Sequence, residues 1–210
     1  PLTPLAAASR RFNFGRVLLG ELRLVHKGLP RWWSLIAVVL ILAAGLAPAD
    51  VVKAYLLPAA WLWPILVWSG LGAREARYHT QGLVFSTANT LRRQLPAAWL
   101  AGAVVAALSG SGAALTFLRT GESLSLAAWG VAVLFIPALA VALAIWSGSS
   151  KLFEVVYLGL WYFGPFNQLV PQLDFIGASD ATAVYALATV ALLGAALLGR
   201  RRQLRGPAGA

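Results

Sequence analysis

The sequence predicts an all-α polytopic membrane protein with six transmembrane helices preceded by a basic amphipathic interfacial helix. Of its 210 residues, 60% are hydrophobic and only 11% are charged, whereas soluble domains carry about 25% charged residues. Apolar runs of roughly the 20 residues that a membrane crossing needs recur along the chain. The basic residues flank these runs, so the net charge of +10 indicates membrane lipid as a partner and not nucleic acid.

The chain begins with a predicted linker and a predicted entry helix. Residues 1–9 contain two prolines and small residues without periodicity, which is typical of a linker. Residues 10–31 combine apolar side chains at three- and four-residue spacing with cations that fall largely elsewhere on the helical wheel. We expect this helix to lie in the headgroup region, because a span follows it directly. The alternative is an ordinary cytoplasmic helix packed on protein. The apolar positions are Phe14, Leu18, Leu22, Val25 and Leu29, and the cations are Arg16, Arg23 and Lys27.

Six apolar segments follow, each close to the length of a membrane crossing. We expect the Trp32–Trp33 pair to anchor the first at the interface. In the second, we expect Trp61, Trp63 and Trp68 to face lipid or to pack, and a place in a substrate path is the less favoured alternative. The small residues of the third are typical of closely packed membrane helices. The predicted spans are 32–48, 52–71, 96–118, 124–146, 152–168 and 181–198.

The connection between the fifth and sixth spans is not apolar throughout. Asn167, Gln168, Pro171 and Gln172 cannot continue an apolar helix cheaply, because unsatisfied polar groups in lipid cost several kcal/mol. We therefore expect Phe166–Gly177 to lie at the outer interface, as short helices or an irregular turn.

The positions of the cations predict the orientation. Loops rich in lysine and arginine stay on the cytoplasmic side. With both termini cytoplasmic, 15 of the 17 lysines and arginines lie inside, and only Lys53 and Arg119 lie outside. Residues 32–199 are thus predicted to form the transmembrane domain, and 200–210 a basic cytoplasmic tail. Methionine is absent, so we expect the sequence to be the C-terminal part of a longer chain.

No constellation of residues in the sequence indicates catalysis. The chain has no cysteine, and its two histidines are far apart, so we expect neither a metal site nor a cofactor. It also lacks a phosphate-binding loop, a serine elbow and a zinc-binding HExxH helix. We expect Glu154 to be an interfacial acid paired with Lys151, in preference to a role in transport.

The basic loop between the second and third spans is the most informative motif. Its apolar triplet Leu83–Phe85 lies amid arginines, which indicates a surface that a partner buries. The alternative is a solvated linker that its charge keeps inside. The candidate site residues of this loop are Arg74, Glu75, Arg77, Thr80, Leu83, Val84, Phe85, Ser86, Arg92 and Arg93.

This loop resembles the first cytoplasmic loop of the permease subunits of type-2 ABC exporters. Those loops carry an acid, a Gly-Thr pair, aliphatic residues, a serine, a turn and then a basic residue. Here His79 stands where glycine is usual, and no proline follows the serine region. The entry helix and the six spans extend the resemblance over nearly the whole chain. The matching positions are Glu75, Thr80, Leu83, Val84 and Ser86, with Arg92 or Arg93.

The resemblance implies a transporter of the bacterial cytoplasmic membrane. A separate ATP-binding cassette ATPase subunit would supply the energy, and a second permease module would complete a homodimer or heterodimer. A coupling helix would fall within residues 74–89, with Leu83, Val84 and Phe85 in a cleft on the ATPase and Arg74, Glu75 and Arg77 at its rim. Two alternatives stay open: a non-transporting scaffold or sensor subunit, and a membrane enzyme whose catalytic part lies N-terminal to this sequence.

Overall fold

In the computed structural model, the described residues form helices and turns and contain no strand. The structure describes residues 14–27, 29–72, 90–177 and 181–205. The helices are α1 (Phe14–His26), α2 (Arg31–Leu46), α3 (Ala49–Val51), α4 (Leu57–Leu62), α5 (Ile65–Ser69), α6 (Thr90–Ser109), α7 (Ser111–Thr120), α8 (Ser123–Ser147), α9 (Lys151–Trp161) and α10 (Ala181–Arg205). Two π-helical turns, Val52–Leu56 and Tyr162–Phe166, and a 3-10 turn, Pro171–Leu173, lie between them.

Two helices in the described part of the chain are each long and apolar enough to cross a membrane. They are α8 and the segment Ala181–Gln203 of α10. The pair α6 and α7 would make a third if it is one bent crossing, since the two axes differ by 56°. Helix α2 is apolar but has only 16 residues, which is about 24 Å of helix. The predicted all-helical, apolar character is confirmed, and the number of six spans stays a prediction.

Helix α8 forms the centre of the bundle, buried over most of its length and packed against α6 and α10. The close approach of α6 depends on Gly102. A Cβ at Gly102 would lie 2.5 Å from Leu71 Cδ1 and 2.6 Å from Pro137 Cβ, so a larger residue does not fit. The small residues of this segment therefore act as predicted, by letting helices approach closely.

The second and fifth predicted spans are interrupted next to prolines. Pro58 lacks an N–H and its ring crowds the carbonyl four residues earlier, and the wider π-helical turn Val52–Leu56 lies just before it. Pro64 separates α4 from α5. Pro165 lies inside the second π-helical turn, so α-helical geometry ends at Trp161 and does not continue to residue 168.

The third predicted span, 96–118, also differs from the structure. Helix α6 begins at Thr90 and includes Pro96, and the path then breaks at Gly110. Two indoles donate hydrogen bonds at this break. Trp61 Nε1 donates to the carbonyl of Ala106 at 3.1 Å, and Trp129 Nε1 donates to the carbonyl of Gly110 at 3.0 Å. Residues 96–118 carry no charge, so the local sequence gives no sign of this break. The two indoles that meet it come from distant parts of the chain.

Helices α2 and α7 cross at two glycines. A Cβ at Gly112 would overlap the carbonyl oxygen of Ile41, so the two backbones are in contact there. The hydroxyl of Thr116 donates to the carbonyl of Ala44 at 2.7 Å. Arg119 Nη1 donates to the carbonyl of Gly45, also at 2.7 Å. Close packing and these polar contacts both need the small residues, as in other crossings of apolar helices.

Helix α1 packs along α6, and Val25 rests on the buried core. Phe14, Leu18 and Leu22 are half-buried, whereas Arg16 and Arg23 are exposed. This packing corresponds to the alternative of a helix packed on protein. Contact of the same helix with lipid headgroups stays a prediction.

Candidate functional site

The predicted ATPase-coupling loop falls mostly outside the described residues. Of its site residues, Arg92 and Arg93 belong to α6. The site residues that lie outside the described ranges are Arg74, Glu75, Arg77, Thr80, Leu83, Val84, Phe85 and Ser86.

The place where this loop leaves the bundle is described. Gly72 has a φ of 76°, which favours glycine, and a Cβ there would lie 3.4 Å from Ala144 Cβ of α8. At the same level, Gln203 Nε2 donates to the carbonyl of Ile145 at 2.8 Å. Helix α8 therefore ends beside both the start of the loop and the end of α10. We call this end of the bundle the loop end.

Charged residues are absent from the middle of the long apolar segments. Residues 95–118, 123–147 and 181–199 contain no Asp, Glu, Lys, Arg or His. At the loop end, Lys151 Nζ lies 2.8 Å from Glu154 Oε2, which confirms the predicted pair. At the same end, the guanidinium of Arg202 lies 5.2 Å from the ring centroid of Trp146.

At the opposite end of the bundle, Lys53 forms an ion pair with Glu122. The Oγ of Ser125 donates to Glu122 Oε2 at 2.7 Å, and Lys53 Nζ lies 5.8 Å from the ring centroid of Phe117. The hydrogen bonds from Lys53 and then from Ser125 hold the pKa of Glu122 below its ordinary value. This pair joins two turns that the cation pattern predicts to lie on one side of the membrane.

A cavity of about 650 Å³ opens beside this ion pair. We call this end of the bundle, opposite the loop end, the cavity end. Its size lies within the roughly 300–1,000 Å³ of small-molecule sites. One wall comes from the start of the second apolar segment, one from α8, and one from the connection between α9 and α10. The charged, polar and aromatic side chains that line the cavity are Asp50, Lys53, Tyr55, Ser125, Phe166, Gln168 and Asp174.

The connection between α9 and α10 folds back onto the bundle. Phe175 is buried among the aromatic rings of Phe135, Tyr157, Trp161 and Tyr185. This shape agrees with the predicted short helices or irregular turn. The buried position of Phe175 was not predicted. The signal that could have found it is the apolar pair Phe175–Ile176 within a polar stretch.

The tryptophans pack and donate hydrogen bonds between helices. Trp61 and Trp68 are fully buried, which agrees with the packing interpretation. Trp161 is also buried, but its Nε1 makes no hydrogen bond. Six indoles donate to backbone carbonyls: Trp61 to Ala106, Trp63 to Trp33, Trp68 to Gly102, Trp99 to Leu134, Trp129 to Gly110 and Trp146 to Ala195.

Within residues that the structure describes, no group of three His, Cys, Asp or Glu side chains could hold a metal ion. The chain matches no protein-family model, no curated protein and no solved structure.

We expect the ion pair at the cavity end to make stability depend on pH. Because the folded pKa of Glu122 is lowered, its carboxylate stabilises the fold at neutral pH, and this contribution disappears as the pH falls from about 4.5 through the lowered value. Both side chains are partly exposed, so the effect at pH 7 is at most about 1 kcal/mol. Thermal unfolding of the wild type and of Glu122→Gln, from pH 7 to pH 3, measures it.

The difference in stability between the wild type and Glu122→Gln should shrink below pH 4. In a double-mutant cycle, Lys53→Gln should cost little once Glu122 is already glutamine. A difference that stays constant over this pH range would contradict the assigned pairing.

Proposed function

We propose that this chain is the permease component of an ABC transporter of the bacterial cytoplasmic membrane. It would move its substrate by using ATP hydrolysis in a separate ATPase subunit, and it would pair with a second permease module. The observation that carries this proposal is the apolar triplet Leu83–Phe85 within a basic loop between two apolar helical segments. An apolar triplet in such a loop is best explained by a surface that a partner covers.

The packing of α6 supports the proposal. This helix follows the loop directly in the sequence and runs against the central helix α8. At its far end, α6 meets the break at Gly110, where Trp61 and Trp129 attach it to neighbouring segments. A push on the loop would therefore act on a helix that contacts the middle of the bundle. Packed interiors transmit such displacements because they are dense.

We further propose that the chain crosses the membrane six times, with both termini in the cytoplasm. The separation of charges supports this arrangement, since Lys151 and Arg202 lie at the loop end and Lys53 at the cavity end. The loop end would face the cytoplasm, because cationic loops stay there. The cavity end would then face outside.

Cysteine labelling tests the orientation. The chain has no cysteine, so Ala88→Cys and Tyr55→Cys each introduce a single thiol. Tyr55 is 71% exposed at the cavity end. In intact cells, a membrane-impermeant maleimide should label Tyr55→Cys, and should label Ala88→Cys only after permeabilisation. Labelling of Ala88→Cys from outside would refute the six-span arrangement.

Truncation of the apolar triplet tests the coupling function. We expect Phe85→Ala to weaken binding of the ATPase by about 2 kcal/mol, roughly 30-fold, because a buried aromatic anchor carries much of the binding energy of an interface. Leu83→Ala should add to the loss. The measurements are capture of the ATPase by the detergent-solubilised chain and ATP hydrolysis stimulated by the complex.

Two control variants show whether the loss of ATPase binding is specific to the apolar triplet. Arg77→Ala should have a smaller effect, because exposed ion pairs contribute roughly 0–1 kcal/mol. Phe163→Ala removes an exposed aromatic ring far from the loop in sequence, and should leave ATPase binding unchanged. If the double variant Leu83→Ala/Phe85→Ala retains both capture and stimulated hydrolysis, the loop is a linker. A stable complex that lacks any ATPase would instead support the scaffold or sensor alternative.

A further inference from the structure

We propose that α1 binds anionic phospholipid headgroups through a basic stripe, defined as Arg16, Arg23 and Lys27. The contact would let the transporter respond to the lipid composition of the leaflet. The inference depends on the membrane location proposed above, and does not depend on the ATPase partner.

The three cations lie in one narrow line along the helix. Successive residues of an α-helix are about 100° apart, so Arg16, Arg23 and Lys27 fall within roughly 40° of one another. The backbone N–H of Lys27 donates to the carbonyl of Arg23 at 2.9 Å, which continues the helical pattern to the last cation. All three residues are exposed.

Leucines lie on both sides of this basic stripe. Leu19 is 55% exposed and Leu24 is 53% exposed. Arginine and lysine heads bind phosphate while their stems lie along apolar surface, and the leucines would dip into the headgroup region beside them. The apolar area that the leucines bury and the attraction of the cations to anionic lipid would both strengthen binding of α1 to the bilayer surface.

The apolar face of α1 is already occupied. Val25 packs on the buried core, and Leu18 and Leu22 are half-buried on the side where the helix meets α6. The helix therefore cannot insert this face into lipid without leaving the protein. The membrane contact has to use the opposite side, which is the basic stripe with its flanking leucines.

Electrostatics selects anionic lipid over neutral lipid. Glu21 lies roughly 140° from Arg16 on the helical wheel, so it does not interrupt the basic stripe. A basic residue near an anionic bilayer improves binding by a factor of roughly five. Three such residues together therefore give a preference of up to roughly 100-fold, which high salt should remove.

An environment-sensitive fluorophore on Gly20→Cys tests the proposal. A Cβ at Gly20 meets nothing within 4 Å, the chain has no other cysteine, and the position adjoins the basic stripe. The labelled chain is placed in lipid nanodiscs of phosphatidylcholine alone, or of phosphatidylcholine with phosphatidylglycerol. We expect a blue-shifted emission in the anionic discs only, which returns to the neutral value in 1 M salt, where the Debye length is about 3 Å.

Two triple variants, each lacking three charges, complete the test. Arg16→Gln/Arg23→Gln/Lys27→Gln should abolish the shift, and glutamine retains helix propensity. Arg201→Gln/Arg202→Gln/Arg205→Gln removes the same charge from α10 and should leave the shift intact. Equal emission in both lipids, or a shift that the first variant retains, would overturn the proposal. So would an equal shift in neutral discs on addition of soluble inositol phosphate or RNA. If the lipid shift persists while the ATPase does not bind, only the proposed transport function fails.

Discussion

Phe175→Ala should lower the free energy of unfolding by about 3–5 kcal/mol, which is the usual cost of deleting a fully buried phenylalanine. Phe175 is 2% exposed. Its ring centroid lies 5.1 Å from that of Trp161 and between 6.0 and 6.2 Å from those of Phe135, Tyr157 and Tyr185. Alanine would leave a cavity among four rings and release the connection that forms one wall of the 650 Å³ cavity.

Thermal unfolding of the purified chain in detergent measures this loss. Phe163→Ala is the matched control, because it deletes the same ring from a side chain that is 45% exposed. The control should cost less than about 1 kcal/mol, because the ring of Phe163 contacts the exposed ring of Tyr162. Equal losses for the two variants would mean that Phe175 does not anchor the connection.

Gly112→Ala should destabilise the chain by about 2–3 kcal/mol, although it adds a single methyl group. The new Cβ would overlap the carbonyl oxygen of Ile41 and lie 2.9 Å from the backbone nitrogen of Gly45. Backbone atoms cannot turn aside as a flexible side chain can, so α2 and α7 would have to separate. Overpacking of this kind typically costs 1–3 kcal/mol, and the separation would also lengthen the hydrogen bond from Thr116 to Ala44.

The same substitution elsewhere should have the opposite sign. Gly130 lies within α8, and a Cβ there would meet nothing within 4 Å. Gly130→Ala should therefore raise stability by up to about 1 kcal/mol, because alanine favours the helix over glycine. Unfolding of both variants under one set of conditions gives the comparison. Similar effects from the two would exclude backbone contact at the crossing of α2 and α7.

The two long unbroken helices could be located from the sequence, although the end of α10 could not. The spans predicted at 124–146 and 181–198 correspond to α8 and α10. Their apolar runs contain no signal strong enough to end a helix, and Pro137 remains inside α8. Helix α10 continues to Arg205, into the predicted basic tail at 200–210. Arginine is a good helix former, so a run of positive charge does not stop a helix.

The interrupted segments could not be predicted, because their breaks depend on distant residues. Gly110 ends α6 where indoles from Trp61 and Trp129 occupy the space that a Cβ would need. Nothing in the local sequence shows that these rings meet there. The same applies to the cavity end. The sequence shows a charged residue in each of two turns, Lys53 and Glu122, but does not indicate that they pair. The coupling loop stays a prediction based on its residues alone.

The indole hydrogen bonds have a consequence for how this chain can diverge. Every residue type provides a main-chain carbonyl, so the acceptor at Leu134 or Ala195 survives replacement by another apolar residue. The donor has no such freedom, because no other apolar side chain carries a comparable N–H. Homologous chains can therefore change most of their apolar residues while the helices keep their mutual positions. The positions of the donor tryptophans should therefore be more strongly conserved than the apolar residues around them.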